Sequence, residues 1–214
     1  MRHARHAHAV THTETRTRER RQRLAIEAAR LISEGGIRDY HLAKRKAADR
    51  LGIHDDASLP RNSEIHEALR DYQRLFLAQS HPQLLHERRE AAERAMAFFA
   101  EFEPRLVGAV LEGTADAHSA VCLHLHTDEP ERVPLFLADH LIPAEESSRR
   151  IRFDRDRSDD VSVWLFAADD LPFDIAVLPR DALRQAPLDR IDEKPMRRAS
   201  LSALQELLAE PAEW

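Results

Sequence analysis

The sequence predicts an α+β protein: a helical N-terminal unit, then a small mixed β-sheet domain with flanking helices. Three observations predict it. Up to about residue 102 the apolar residues recur at helical spacing. After Pro104 short segments of β character appear, and Val121, Leu123 and Leu125 alternate with Cys122, His124 and His126. The order is helices first, then strand, helix, strand, strand, strand, which is the segregated order of an α+β chain. The expected divisions are a disordered basic arm over 1–13, a helical unit over 14–85 and an α+β domain over 86–214.

The first helix spans about Glu14 to Glu34, with Leu24, Ile26, Ala28, Leu31 and Ile32 as its apolar stripe. Gly35-Gly36 ends it, because glycine accepts the left-handed conformation of a helix C-terminus. A second helix runs from about Asp39 to Leu51 and stops at Gly52. HDDASLPRNSE reads as a loop, with Asn62 or Ser63 capping a third helix. That helix places Ile65, Leu69, Tyr72, Leu75 and Phe76 on one face, and His81-Pro82 breaks it. A fourth runs from about Gln83 to Phe102, with Leu85, Ala92, Met96, Phe99 and Phe102 as core candidates.

RLVGAVLEG reads as the start of a strand or a helix; AVCLHLHT follows as a strand, RVPLFLADHLI as a helix, then RIRFDRD, VSVWLFA and FDIAVLP as strands. SLSALQELLAE closes the chain as a serine-capped amphipathic helix.

Composition excludes several chemistries. Hydrophobic residues make up 43% of the 214, enough for a packed core. There are only five glycines, and neither GxGxxG nor GxxxxGKS/T occurs, so Gly-rich phosphate loops are excluded. Cys122 is the sole cysteine, which excludes internal disulfides and Cys-based zinc clusters and fits a reducing cytoplasm. No apolar run approaches the roughly 18 residues that span a bilayer. MRHARHAHAVTH lacks the apolar region of a signal peptide. The expected location is therefore cytoplasmic, with no membrane partner.

The net charge of −6 hides an asymmetry. Residues 1–50 hold 13 Lys/Arg against 6 Asp/Glu, and the remainder holds 19 against 32. A basic head can approach nucleic acid, or it can be a solvated helix face. Lys44, Arg45 and Lys46, in LAKRKAADRLG, are the candidate phosphate contacts. RLAIEAARLISEGGI is similar to the first helix of TetR-type regulators, but RDYHLAKRKAA departs from their second helix. His3, His6, His8 and His12 belong to the arm and are not expected to form a metal site.

GAVLEGTADAHSAVCLHLHTD, starting at Gly108, resembles the signature of the nucleotidyltransferase (polymerase beta-like) superfamily. That signature is a glycine–serine pair, about ten residues, then Asp-x-Asp on the next strand. Gly108-Ala109 falls at the glycine–serine position, and Glu112-Gly113-Thr114-Ala115 at an intervening segment. Ser119 precedes Ala120-Val121-Cys122, at the Asp-x-Asp position. PFDIAVL looks like the later strand that supplies the third carboxylate, which here is Asp174. The resemblance covers roughly residues 90–200. It implies transfer of a nucleoside monophosphate from a nucleoside triphosphate to a hydroxyl, with Mg²⁺ as cofactor. Asp174 is then the catalytic and metal-binding carboxylate. Gly108, Gly113, Thr114 and Ser119 are the implied nucleotide-binding residues.

The chemistry explains the departures. Two Mg²⁺ ions about 4 Å apart clamp the triphosphate and activate the attacking hydroxyl. Mg²⁺ requires oxygen ligands. Ala120 has no ligand atom, Cys122 offers soft sulfur, and Ala109 lacks the phosphate-binding hydroxyl. Transfer is therefore expected to be impaired or lost. A rebuilt site is an alternative: Cys122, His124 and His126 project to one face, with Asp116, His118 and Asp128 in flanking loops. The outer pair on one strand is about 13 Å apart, so His124 with one of its neighbours and Asp174 is the metal set of best reach. Ordinary polar packing is the other reading. A non-enzymatic protein that binds nucleic acid or another protein through the N-terminal helices is the alternative function.

Overall fold

The structure is a computed structural model that describes residues 2–37, 39–77, 81–189 and 191–210, with the backbone alone over 2–14. The side chains of the expected arm, including its four histidines, lie outside the described residues. The chain divides into two compact units, Met1–Leu77 and Ala78–Trp214. It is a mixed α+β protein with its helices gathered at the N-terminus. No helix among the described residues is long and apolar enough to cross a membrane.

In the first unit, α1 (Arg2–Gly35), α2 (Tyr40–Leu51) and α3 (Asn62–Phe76) share one core. Leu24, Ala25, Ala28, Ala29, Leu31 and Ile32 of α1 meet Ala43, Ala47 and Ala48 of α2 and Ile65 and Leu69 of α3. Alanine dominates α2's buried stripe, and small side chains let helix backbones approach closely. Asp39 caps α2 by accepting the N–H of His41 and Leu42, and Gly52 ends it at φ 62°.

Three expectations are corrected here. Ile26 is half exposed, because it lies about 200° around α1 from Leu24 and faces away from the stripe. Leu75 and Phe76 are 69% and 68% exposed: they sit in the last turn of α3 and line an open groove with Ala25, Ile26 and Tyr72. The α3 cap is Arg61, whose N–H donates to Glu64 Oε2 at 2.7 Å, and neither Asn62 nor Ser63 takes that place.

The second unit opens with α4 (His81–Phe98), which packs on a sheet of five strands among the described residues. These are β1 (Arg105–Val107), β2 (Val121–His126), β3 (Glu145–Arg152), β4 (Ser158–Ala168) and β5 (Leu171–Leu178). The spatial order is β1-β2-β5-β4-β3. β1 and β2 are antiparallel, β2 and β5 parallel, and β5, β4 and β3 form an antiparallel meander. The parallel β2–β5 pair needs a crossover, and α6 (Arg132–Asp139) lies within it. Asp169 and Asp170 both take positive φ, 50° and 62°, as the two-residue turn between β4 and β5 requires.

The sheet is covered on both faces. Leu106, Val121, Leu123, Leu125, Phe173, Ile175 and Val177 pack with Met96, Phe99, Phe102, Val133, Leu137 and Leu204. Leu204 comes from α7 (Leu201–Ala209), capped by Ser200. On the other face Ala176 and Leu178 pack with Ile151, Phe153, Val161, Val163 and Ala182. Cys122, His124, His126 and Asp174 belong to this second face by strand alternation.

Candidate functional site

β1 ends at Val107, and the chain turns through Gly108 into the short helix α5 (Ala109–Glu112). Gly108 has φ 72° and ψ −156°, a conformation that side chains oppose. A Cβ there would stand 3.6 Å from Cys122 Cβ and 3.7 Å from its Sγ. The turn thus lies directly against β2 at Cys122. On the neighbouring parallel strand Asp174 pairs in register with Cys122.

Arg149 of β3 reaches this pair. Its Nη1 donates to Asp174 Oδ1 at 3.1 Å and its Nη2 to Oδ2 at 2.7 Å. This fork geometry is the strong form of an arginine–carboxylate pair. The Asp174 side chain is 14% exposed and that of Arg149 37%. The hydrogen bonds to Asp174 raise the Arg149 pKa against the opposing effect of burial, and Cys122 adds a smaller contribution of the same sign.

His124 and His126 continue the face and are 5% and 1% exposed. Burial pushes the His124 pKa down to about 3, with His126, Arg198 and Arg149 adding repulsion. Burial likewise pushes His126 down to about 4, partly offset by its hydrogen bond to the Glu103 carbonyl. That bond is 2.9 Å long and fixes the proton on Nδ1. Both rings are neutral at pH 7. His124 Nδ1 and His126 Nε2 meet no hydrogen-bond partner among the described residues. Arg198 donates to the carbonyls of Ala182 at 2.5 Å and Leu183 at 3.1 Å, and Arg105 to that of Pro104 at 2.9 Å. This face therefore carries three guanidiniums, and among the described residues Arg149 is the one with a carboxylate partner on it.

The residues suggested by sequence separate into two groups. Gly108, Cys122 and Asp174 come together. Gly113 (φ 76°) instead ends α5 against Leu85 and Arg89 of α4, and Thr114 is buried with its N–H on the Ala109 carbonyl. The Ser119 hydroxyl is held within its own turn: it donates to Asp116 Oδ1 at 2.8 Å and accepts the Asp116 N–H at 2.9 Å. The buried Arg88 fixes that turn by donating to the carbonyls of Ser119 and Ala117. Ala120 is buried. Among the described residues no three His, Cys, Asp or Glu side chains are placed to hold a metal ion.

On α2, Arg45 and Lys46 are exposed. Lys44 is half-buried, and burial lowers its pKa despite Glu64 nearby. Arg149 and Arg105 are not singled out by the sequence; Arg198 lies with Arg184, Lys194 and Arg197 in the basic stretch LRQAPLDRIDEKPMRRAS, for which the sequence leaves contact with a triphosphate, contact with a partner's acidic face and a plain surface loop open. The strand expected at RIRFDRD began one residue too late to include Arg149, which period two would have placed with Ile151.

No family model, curated protein or solved structure matches the chain.

Proposed function

We propose that the second unit is a nucleotidyltransferase-like domain that has lost metal-dependent transfer and binds a nucleoside triphosphate without a metal. One observation carries this reading: Asp174 stands in register with Cys122, beside the Gly108 turn, with its carboxylate held by Arg149. The arrangement of turn, strand and neighbouring carboxylate is what the sequence resemblance implies.

The donor set does not suit Mg²⁺. Ala120 offers no ligand atom, Cys122 offers sulfur, and both Asp174 oxygens are engaged by a guanidinium. Arg149 supplies positive charge beside the one remaining carboxylate, and it cannot act as an acid or base near neutral pH. With that carboxylate neutralised, Arg105 and Arg198 leave the face net positive, which favours phosphate oxygens in the absence of a divalent ion.

The test is calorimetric titration of ATP and GTP in the presence of EDTA, beside a transfer assay with Mg²⁺ or Mn²⁺. The expected result is binding that EDTA leaves unchanged and Arg149→Ala weakens, with no transfer. Robust transfer that Asp174→Ala abolishes would overturn the reading, as would the absence of nucleotide binding.

A second reading gives the first unit a nucleic-acid role. Arg45 and Lys46 are exposed on α2. Phosphate contact at these positions makes binding strongly salt-dependent. Duplex or single-strand binding that weakens on Arg45→Ala and Lys46→Ala supports it; absent or salt-independent binding overturns it.

A further inference from the structure

The sheet has two edges, and they differ. At β1, Leu106 exchanges both backbone hydrogen bonds with Ala199, at 2.9 and 3.0 Å, so that edge is occupied. At β3, the first four residues are all exposed. Phe153 donates to the Arg157 carbonyl, which marks 153–157 as a hydrogen-bonded pair of the β3–β4 ladder. Stepping by two along the antiparallel register turns Ile151, Arg149, Ser147 and Glu145 inward to β4. The backbone groups of Glu146, Ser148, Arg150 and Arg152 therefore point outward. The Arg152 carbonyl is taken by the Leu188 N–H at 2.7 Å, which bears out this alternation. No backbone partner meets Glu146, Ser148 or Arg150 on that side among the described residues.

Unpaired strand edges are a hazard that proteins manage with charge. Here the charges are arranged in a particular order. β3 reads EESSRRIR, acidic at its start and basic at its end. We propose that β3 pairs antiparallel with β3 of a second copy of this chain, about a two-fold axis at Ser148, joining the two sheets edge to edge.

The register follows from charge. A two-fold at Ser148 sets Glu146 opposite Arg150 of the second copy, and Arg150 opposite its Glu146. Both pairs lie on one face of the joined sheet and occur at hydrogen-bonded positions. On the other face Ser147 meets Arg149 and Glu145 meets Ile151, with no like charges opposed. A two-fold at Glu146 opposes glutamate to glutamate, and one at Arg150 opposes arginine to arginine. Parallel in-register stacking, the route to fibrils, aligns every charge with its like. A two-fold at Ser147 sets Glu145 opposite Arg149, but that guanidinium is already held by both Asp174 oxygens, and one at Arg149 opposes arginine to arginine. The Ser148 register is thus favoured, and the occupied Arg152 carbonyl stops the pairing after Ile151. The existing contacts do not block it. Arg150 meets Asp160 of β4 at 3.2 Å with both side chains more than 60% exposed, and Glu146 accepts a 3.3 Å bond from Ser162. Exposed contacts of this kind contribute little.

The experiment is sedimentation of the full chain over a concentration series at low and physiological salt. The expected result is a reversible monomer–dimer equilibrium that weakens as salt rises. Glu146→Arg alone and Arg150→Glu alone each oppose like charges across the two-fold and weaken the dimer at least tenfold. The double variant Glu146→Arg/Arg150→Glu restores it, and an equimolar mixture of the two single variants forms a mixed dimer. Ser148→Pro removes the central outward N–H, which β4 does not use, and gives a monomer of unchanged circular dichroism. A chain that stays monomeric into the millimolar range, a dimer indifferent to these charges, or a double variant that fails to recover would each overturn the proposal. None of these outcomes depends on nucleotide binding.

Discussion

The Arg149 guanidinium holds both carboxylate oxygens of Asp174, at 3.1 and 2.7 Å, from a strand that is not adjacent to its own. The pair is half-sheltered, so its strength lies between that of an exposed ion pair and that of a buried one. Arg149→Met should lower stability by about 1–2 kcal/mol, because Asp174 is then left largely buried without its partner. Asp174→Asn in the Arg149→Met background should recover much of this. A double-mutant cycle from urea unfolding measures the coupling, and additive single effects would show that the pair contributes nothing.

Acid should destabilise the second unit through its buried histidines. Unfolded histidine titrates near pH 6.5. In the fold His124 titrates at about 3 and His126 at about 4. Between these values and 6.5 the unfolded chain binds more protons than the native one, so stability is present above 6.5 and falls as pH drops. The slope is about 1.4 kcal/mol per pH unit for each histidine. His81, also buried with its pKa lowered by burial, acts with the same sign. Urea unfolding between pH 7 and 5 reads the slope, and His124→Leu should reduce it without abolishing it.

Gly108→Ala should cost about 1–3 kcal/mol, because φ 72° with ψ −156° is open only to glycine. Crowding is not the cause, since the nearest atom to the new Cβ is 3.6 Å away. Gly35→Ala provides the contrast. It has no positive φ and its nearest contact is 3.9 Å, so stability should hold or rise by up to about 1 kcal/mol. Thermal melts of the two variants give the comparison.

In the first unit Leu69→Ala should cost about 2–4 kcal/mol, since Leu69 is 3% exposed within the three-helix core. Phe76→Ser, at a position 68% exposed, should change stability by less than about 0.5 kcal/mol. Similar losses from both would mean that the α3 terminus is covered in solution.

Much of the element plan was legible because it rests on local periodicity. Val121, Leu123 and Leu125 announced β2, and Gly52 and Ser200 marked helix ends through their own conformations. Leu75 and Phe76 show the limit of that signal. Phe76 shares the angular stripe of Ile65 and Leu69 and is exposed all the same, because burial needs a neighbour as well as a period. The Asp169-Asp170 turn gave no strong hairpin cue, since neither residue is the glycine that positive φ favours.

The candidate site was half legible. Gly108, Cys122 and Asp174 were implied by the resemblance, and the sheet brings them together through the Cys122–Asp174 register. Gly113, Thr114 and Ser119 share the same stretch of chain, yet α5 and the Asp116–Ser119 turn direct them elsewhere.

By itself the sequence determined the α+β class, the order of helices and strands, and which strand residues share a face. Side-chain alternation and helix capping are properties of neighbouring residues, so they can be read from the chain. The tertiary structure alone decided that Arg149 clamps Asp174, that both faces of β2 are covered, and that β3 is the open edge. Each depends on which strands become neighbours and in what register. That choice comes from packing between residues far apart in the chain, which no local pattern records.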